Sequence, residues 1–521
     1  MGRSRVGPSR WEEPVAFGVA ALALVVLVLP PFAAIAIELV ETGLARALAP
    51  LASPGTWALF VRSAGLAVAV TLLATLIGVS LAFLLRRTDL VGRPAALLVH
   101  LFPLALPPFL LALGWFHAFG RRGALGSERG SAILFSDAGA AAVLALAFAP
   151  AITALTALAL DGIDASIEEA ALVVAGPWRV AFEILLPVAA PSIGFGALVV
   201  FSLAFSELGV PIFLRVSTYP AAVFARLGSM AYSPGEAFAL ALPLLGLGLA
   251  LVAIERLVLG RRPPAVLGLQ RARPAFALGR WRTPTSVLAW AFVLAATTPL
   301  VALFFRAVQA RGWTTWIGAS VGTSLLTASA AATLITALGI VLGHGLARRR
   351  FGSRALDALG VLAFVAPATA FGVGIIATWN HAATEAVYRS AAILVVATAG
   401  RYAVLGLRPV ALAVHQSPPQ LEEAAAVFGA GFFTRLARIV IPVHARAIAG
   451  TWLLAFVFCL RDLDLGVLFY PPGRETLPIR IFTLEANGPE PVVAALALVQ
   501  VGITAAAVAL GLALLRRRRS G

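Results

Sequence analysis

Two acidic residues stand inside long apolar runs of this chain: Glu207, in Phe205-Ser206-Glu207-Leu208-Gly209, and Asp462, in Leu460-Arg461-Asp462-Leu463-Asp464. A charge in the hydrocarbon of a bilayer is costly, so residues of this kind point first to an ion or substrate path. Their spacing, 462 − 207 = 255, is about half of the 521 residues. The plain alternative is that each caps or braces a helix end, with Asp462 pairing to its neighbour Arg461. The sequence leaves both open.

Other chemistry is sparse. His100, His117, His344, His381, His415 and His444 show no close ligand spacing, and the single cysteine, Cys459, lies in an apolar run, so no metal site is expected. No Ser-His-Asp grouping or carboxylate pair suggests that this chain hydrolyses a substrate, and no catalytic residue is assigned. All 40 basic residues are arginine, and a phosphate-binding P-loop needs its lysine. If ATP drives this protein, another subunit must bind it, and no cofactor is expected here.

The acids follow a stretch that occurs twice. The first copy runs Glu168-Glu169-Ala170-Ala171, then Gly176-Pro177-Trp178-Arg179, and closes on Pro187; the second runs Glu423-Ala424-Ala425-Ala426, then Gly429-Ala430-Gly431, and closes on Pro442. Proline set on proline gives 442 − 187 = 255 again, which places Glu168 on Glu423 and Gly176 on Gly431. Glycine permits a sharp bend and proline ends a helical ladder, so each copy reads as two short helices forming an elbow. Each is more polar than its flanks and belongs outside the bilayer.

The positioning elements are membrane spans. Hydrophobic residues make up 60% of the chain and charged residues only 12%, with mean hydropathy +0.95, which excludes a soluble globular protein. Runs of about 20 apolar residues cross a bilayer as helix. Such runs fall near 15–40, 57–85, 94–118, 132–160, 188–214 and 236–260, then 285–308, 317–347, 355–379, 390–413, 443–470 and 491–515. The fold class is therefore all-α, a polytopic membrane protein of about 12 spans in two homologous six-helix halves, 1–262 and 285–521, joined by a basic connector, 263–284. Further repeat traces align Trp115 with Trp379, His117 with His381 and Pro103 with Pro367 at offset 264. Gly318 to Gly322 has the small-xxx-small form of close helix packing. Arginine clusters at Arg86-Arg87, Arg348 to Arg350, the connector and Arg516 to Arg519 put both termini and both elbows in the cytoplasm. The net charge of +16 reads as topology, and no nucleic-acid partner is expected.

The paired elbows resemble the coupling-helix motif of the membrane-spanning subunits of bacterial ABC importers, and the whole chain resembles their fused two-domain permeases, of the ferric-iron and thiamine group. The resemblance implies the type I importer fold in the inner membrane. It also implies that Glu168, Glu169, Ala170, Ala171, Gly176, Pro187, Glu423, Ala424, Ala425, Gly429, Gly431 and Pro442 dock into ATP-binding cassette subunits, in two copies. A periplasmic substrate-binding protein would meet the outward segments, such as 470–480, and Glu207 and Asp462 would line the translocation path. Ferric iron is the substrate expected, ahead of thiamine, polyamine or phosphonate. One departure is Val174 where the second copy has Gly429; this makes the second elbow the more family-like contact, with Gly176 available to turn the first. The rival is a twelve-span transporter driven by an ion gradient, for which Asp89-Leu90-Val91-Gly92-Arg93 after the second span is the best sign.

Overall fold

The computed structural model describes residues 11–43, 48–227, 234–259 and 276–517. Most of the expected connector, including Arg271 and Arg273, lies outside the described residues, as do Arg3, Arg5, Arg10, Arg261, Arg262, Arg518 and Arg519. Among the described residues the structure is helical, apart from one isolated bridge between Thr88 and Phe276. Helix is the form in which each backbone group finds a partner without water.

In the first half of the chain the long helices are α1 (Glu12–Thr42), α2 (Pro54–Arg87), α3 (Arg93–Leu101), α4 (Pro108–Phe119), α5 (Asp137–Asp161), α6 (Ala165–Val174), α7 (Leu186–Ser206) and α8 (Pro234–Ile254). In the second they are α9 (Arg282–Ala295), α10 (Thr298–Ala307), α11 (Ser320–Ala347), α12 (Ser353–Val365) and α13 (Ala368–Trp379). The last five are α14 (Ala392–Tyr402), α15 (Val404–His415), α16 (Gln420–Val427), α17 (Ala445–Leu460) and α18 (Glu490–Arg517). Seven runs are long and apolar enough to cross a bilayer, and five bent pairs bring the spans to as many as 12. The chain is a polytopic all-α membrane protein.

The two sharpest bends fall where proline stands. α3 meets α4 at 105° and α12 meets α13 at 107°. Gly92 and Gly352, both left-handed (φ 73° and 79°), start these spans, and Pro107 and Pro367 break them. All four positions match at offset 260 (352 − 92, 367 − 107), which corrects the expected 264 and its pairing of Pro103 with Pro367 and Trp115 with Trp379. Pro103 is absorbed in the first turn of a 3-10 segment, Phe102–Ala105, whereas Pro107 adopts extended ψ and ends the helical path. The fifth span also differs from 188–214: it rises from Pro177 in the elbow to Ser206, and Gly209–Phe213 forms a separate short helix. The eleventh starts at Phe432, bends by 83° into α17 and stops at Leu460.

The first span of each half packs into the other half. α1 lies on α13, α11 and α12 as well as on α8, and α10 lies on α4 as well as on α18. Glycine makes both seats. A Cβ at Gly374 of α13 would come within 2.1 Å of the Pro31 carbonyl oxygen, and one at Gly114 of α4 within 2.4 Å of the Pro299 oxygen. These glycines again differ by 260, so the seat is duplicated. Gly322 has open space around it, so the Gly318 to Gly322 pattern makes no close contact.

Candidate functional site: two elbows and a buried chamber

The elbows share a glycine, π-turn and proline plan, but only the first has a side-chain cap, since α16 starts after Pro419. Asp164 caps α6, its Oδ1 accepting from the Ser166 amide at 2.9 Å and hydroxyl at 2.8 Å, and these bonds hold its carboxyl below the usual range. After the short helix, Gly176 and Gly431 are extended N-caps with matching geometry (φ −67° in both), and helix resumes. Both runs then open into one π turn, Ala181–Leu185 and Leu436–Val440, five residues each and 255 apart. The prolines that follow, Pro187 and Pro442, cannot donate and would crowd the carbonyl four residues back; a widened turn moves that carbonyl aside. Where the copies differ, Gly429 is left-handed (φ 86°) and ends the second elbow's first helix, while in the first elbow α6 runs on through Val174. Gly176 is not left-handed and supplies no special turn.

Burial shows how the copies align. Glu168 is buried against Arg87 at 3.0 Å, and its counterpart by environment is Glu422, not Glu423. Glu422 is buried against Arg348 at 2.6 Å and His344 at 2.7 Å. Glu169 and Glu423 are both exposed. The Glu-Glu-Ala-Ala segments therefore match at offset 254 and the glycines at 255, with one residue added between them in the second elbow. Glu168 thus finds its cation in its own chain, at the end of α2. Burial raises the Glu168 carboxyl above its usual range, against the pull of Arg87. Burial acts the same way on Glu422, but hydrogen bonds from His344 and Arg348 outweigh it and bring that carboxyl to about 2.

The tips of the elbows are apolar and bare. Val173 and Val174 are each 84% exposed, and Val427 and Phe428 are 85% and 92% exposed. Trp178, Phe182 and Phe433 extend the same surfaces.

At the far ends of α7 and α17, Glu207 and Asp462 both line one small buried chamber. Their carboxylates also brace backbone. Glu207 Oε1 accepts from Val210 N at 3.3 Å; Asp462 accepts from Tyr402 OH at 2.6 Å and Gly466 N at 3.1 Å. Asp464 joins them, accepting from Leu208 N at 3.0 Å. Arg461 does not pair with Asp462 through a hydrogen bond; it donates to the Leu104 carbonyl and lies over the Phe458 ring, 4.9 Å from its centre. Arg401 completes the lining. Asp464, Arg401 and Tyr402 escape a reading based on repeats, although an arginine inside the apolar run 392–402 is itself the signal of an intramembrane charge.

A charged tie and an aromatic cluster link the helices around the chamber. Toward the elbows, Asp357 of α12 binds Arg256 at 2.6 Å and Arg408 at 2.8 Å, and Arg408 reaches Glu255 at 2.9 Å, tying the end of α8 to α12 and α15. On the other side Phe109 stands edge-on between Phe213, 5.5 Å away, and Phe482, 5.2 Å away. Beyond this plug lies a cavity of about 560 Å³ lined by Phe213, Tyr470 and Phe482, next to one of about 770 Å³ lined by His117, Arg121, Arg122, Arg215 and Arg306. His381 lies elsewhere, on the surface, and among the described residues no three His, Cys, Asp or Glu side chains converge as a metal site.

No family model matches the chain. It is similar to the molybdenum transport system permease protein ModB of Escherichia coli (strain K12), 30% identical over 188 residues, covering 34% of this chain and 81% of that protein. A putative ferric transport system permease protein, FbpB 1 of Haemophilus influenzae, is 23% identical over 428 residues, covering 74% of this chain and 66% of the relative. The spermidine/putrescine permease protein PotC of Haemophilus influenzae is 27% identical over 188 residues, 36% of this chain and 72% of that one. The likeness to ModB extends over most of that protein, and the likeness to FbpB 1 runs through most of this chain, as the paired elbows and paired bent spans require. The chain belongs to the permease subunits of ABC importers.

Proposed function

We propose that this chain forms the whole translocation path of a bacterial inner-membrane importer, with permease domains at 1–262 and 285–521 and a connector at 263–284, and that two copies of a separate ATPase drive it through the elbows. Both elbows and both termini are then cytoplasmic. The observation that carries this reading is the duplicated, bare apolar tip, Val173-Val174 and Val427-Phe428, on a short helix outside the spans. Exposed apolar patches of this kind mark protein contacts. Ala170, Ala171, Ala424 and Ala425 keep the helix slim enough to enter a groove, and Glu169 and Glu423 meet cations at its rim. Glu168 and Glu422 fasten the elbow to its own spans, so movement of the ATPase tilts α7 and α17 and alternately opens the latch at Asp357 and the plug at Phe109. A periplasmic binding protein delivers substrate at the far face, beside Tyr470. Ferric iron is the substrate favoured by FbpB 1, whose likeness runs over 428 residues.

The test is co-purification from detergent of wild type and of Val427→Asp with Phe428→Asp. A Walker-motif ATPase should come down with wild type and be lost from the variant, while the variant's gel-filtration profile is unchanged. A wild-type chain that purifies alone overturns the reading.

A further inference from the structure

The acids of the chamber are engaged. Asp462 accepts from Tyr402 and Gly466, Asp464 from Leu208 and Glu207 from Val210, so each already holds a donor. Arg401 is in the opposite condition. It is 2% exposed, lines the chamber, and neither its Nε nor its Nη1 has a hydrogen-bond partner among the described residues. Its guanidinium lies 5.9 Å from the Tyr402 ring centre, a contact that gives neither nitrogen an acceptor. Asp464 across the chamber offsets the charge of Arg401 but takes no hydrogen bond from those two nitrogens, and burying such donors without acceptors is costly. α4 starts at the same chamber, at Pro108, so the positive end of a half-helix also points there.

The approach carries the same sign. The larger outer cavity is lined by Arg121, Arg122, Arg215 and Arg306 against one acid, Glu490, which is held by Arg306. Arg121 is matched by Glu128 at 2.7 Å. Arg215 faces Glu485 in the adjoining cavity, and Arg122 remains as surplus positive charge at the mouth.

We propose that the chamber is a transit site for an oxygen-rich anionic group, and that Arg401 holds it with the two nitrogens now left without acceptors. This deepens the importer reading and rests on it. The group is either a free tetrahedral oxyanion or a carboxylate that carries a bound metal ion; both present paired oxygens to a guanidinium edge. Phe109 would retain the anion on the outer side, and Asp462 and Asp464 would keep the chamber from binding it too tightly to release.

The experiment is uptake by cells making the complete transporter with wild-type chain, Arg401→Met or Arg401→Lys. Radiolabelled molybdate, sulfate and phosphate form one arm, ferric citrate the second, and spermidine and thiamine the third. Co-purification of the ATPase is scored for every variant as the check on assembly. The expected result is uptake in the first or second arm, which also tells the two sources apart, lowered about tenfold or more by Arg401→Met and largely kept by Arg401→Lys. Uptake confined to the third arm, no uptake of any anion, or anion uptake unchanged in an assembled Arg401→Met transporter overturns the proposal while leaving the importer reading intact. Failure of the ATPase to bind wild type is the separate failure of that reading.

Discussion

Gly374 is pressed so closely against Pro31 that a Cβ added to it would sit 2.1 Å from the proline's carbonyl oxygen. Small residues let helix backbones approach in this way, and the first span of the chain is held against α13 by it. Gly374→Ala must push the two helices apart and should destabilise the folded chain by about 1–3 kcal/mol, the usual range for overpacking. Gly114→Ala, against Pro299, should behave the same way. Gly246→Ala, with nothing within 4 Å, should be neutral and serves as control. Thermal unfolding in one detergent reads all three, and equal midpoints for Gly374→Ala and Gly246→Ala would show that the seat is not tight.

The elbows are rooted unequally. Glu422 is hydrogen-bonded by His344 and Arg348, whereas neither oxygen of Glu168 makes a well-directed hydrogen bond to Arg87 despite their 3.0 Å approach. Breaking a buried ion pair from one side costs about 3–5 kcal/mol when the partner is left stranded. Glu422→Gln should fall near that range and Glu168→Gln clearly below it. The order of unfolding midpoints decides, and a larger loss for Glu168→Gln would contradict the geometry.

The same asymmetry gives a pH dependence. The Glu168 carboxyl is raised, so its contribution favours the fold at low pH and is lost as pH rises through its folded value. The Glu422 carboxyl is depressed to about 2, so its contribution is present above the ordinary value of 4.5 and is lost as pH falls from there toward 2. Mild acid, above pH 4.5, should therefore protonate Glu168 and steady the first elbow while the second is unchanged. Hydrogen exchange, corrected for the intrinsic effect of pH, should slow in peptides covering 165–174 and stay the same in those covering 420–427.

Gly429 and Gly176 separate backbone strain from bulk, since neither has an atom within 4 Å of a would-be Cβ. Only Gly429 is left-handed, and an alanine there costs about 1–2 kcal/mol. Gly429→Ala should weaken ATPase retention by re-aiming Val427 and Phe428, and Gly176→Ala should not. Co-purification under increasing salt measures the difference.

Cys459, the only cysteine, is buried beside the chamber, in a pocket that also touches Asp462. Phe109→Ala removes the plug between Phe213 and Phe482, so alkylation of Cys459 from the outer side should speed up several-fold in the folded variant. An unchanged rate would mean that the aromatic cluster is not what closes the path.

Most of the architecture was legible in the sequence because a bilayer imposes its thickness on every span, and runs of apolar residues record it. The bends were not, because Pro103, Pro107 and Pro108 stand together and only packing decides which one breaks the helix. The elbows were legible as a repeat, yet alignment on Pro187 and Pro442 shifted the acids by one position; the added residue lies within the second elbow, and only the burial of Glu168 and Glu422 locates it. Of the chamber, the repeat pointed to Glu207 and Asp462. It is blind to Arg401, which pairs with nothing at a matching offset and acts through space alone.

The exchange of first spans also sets a timetable for biogenesis. α1 ends at Thr42 and its seat on α13 begins at Ala368, so 326 residues (368 − 42) separate them. At about 5–20 residues per second, a ribosome leaves α1 without that seat for roughly 15–65 s. Over that interval the helix must rest against lipid, α8 or an insertase, with the Gly374 side of its eventual bed not yet made.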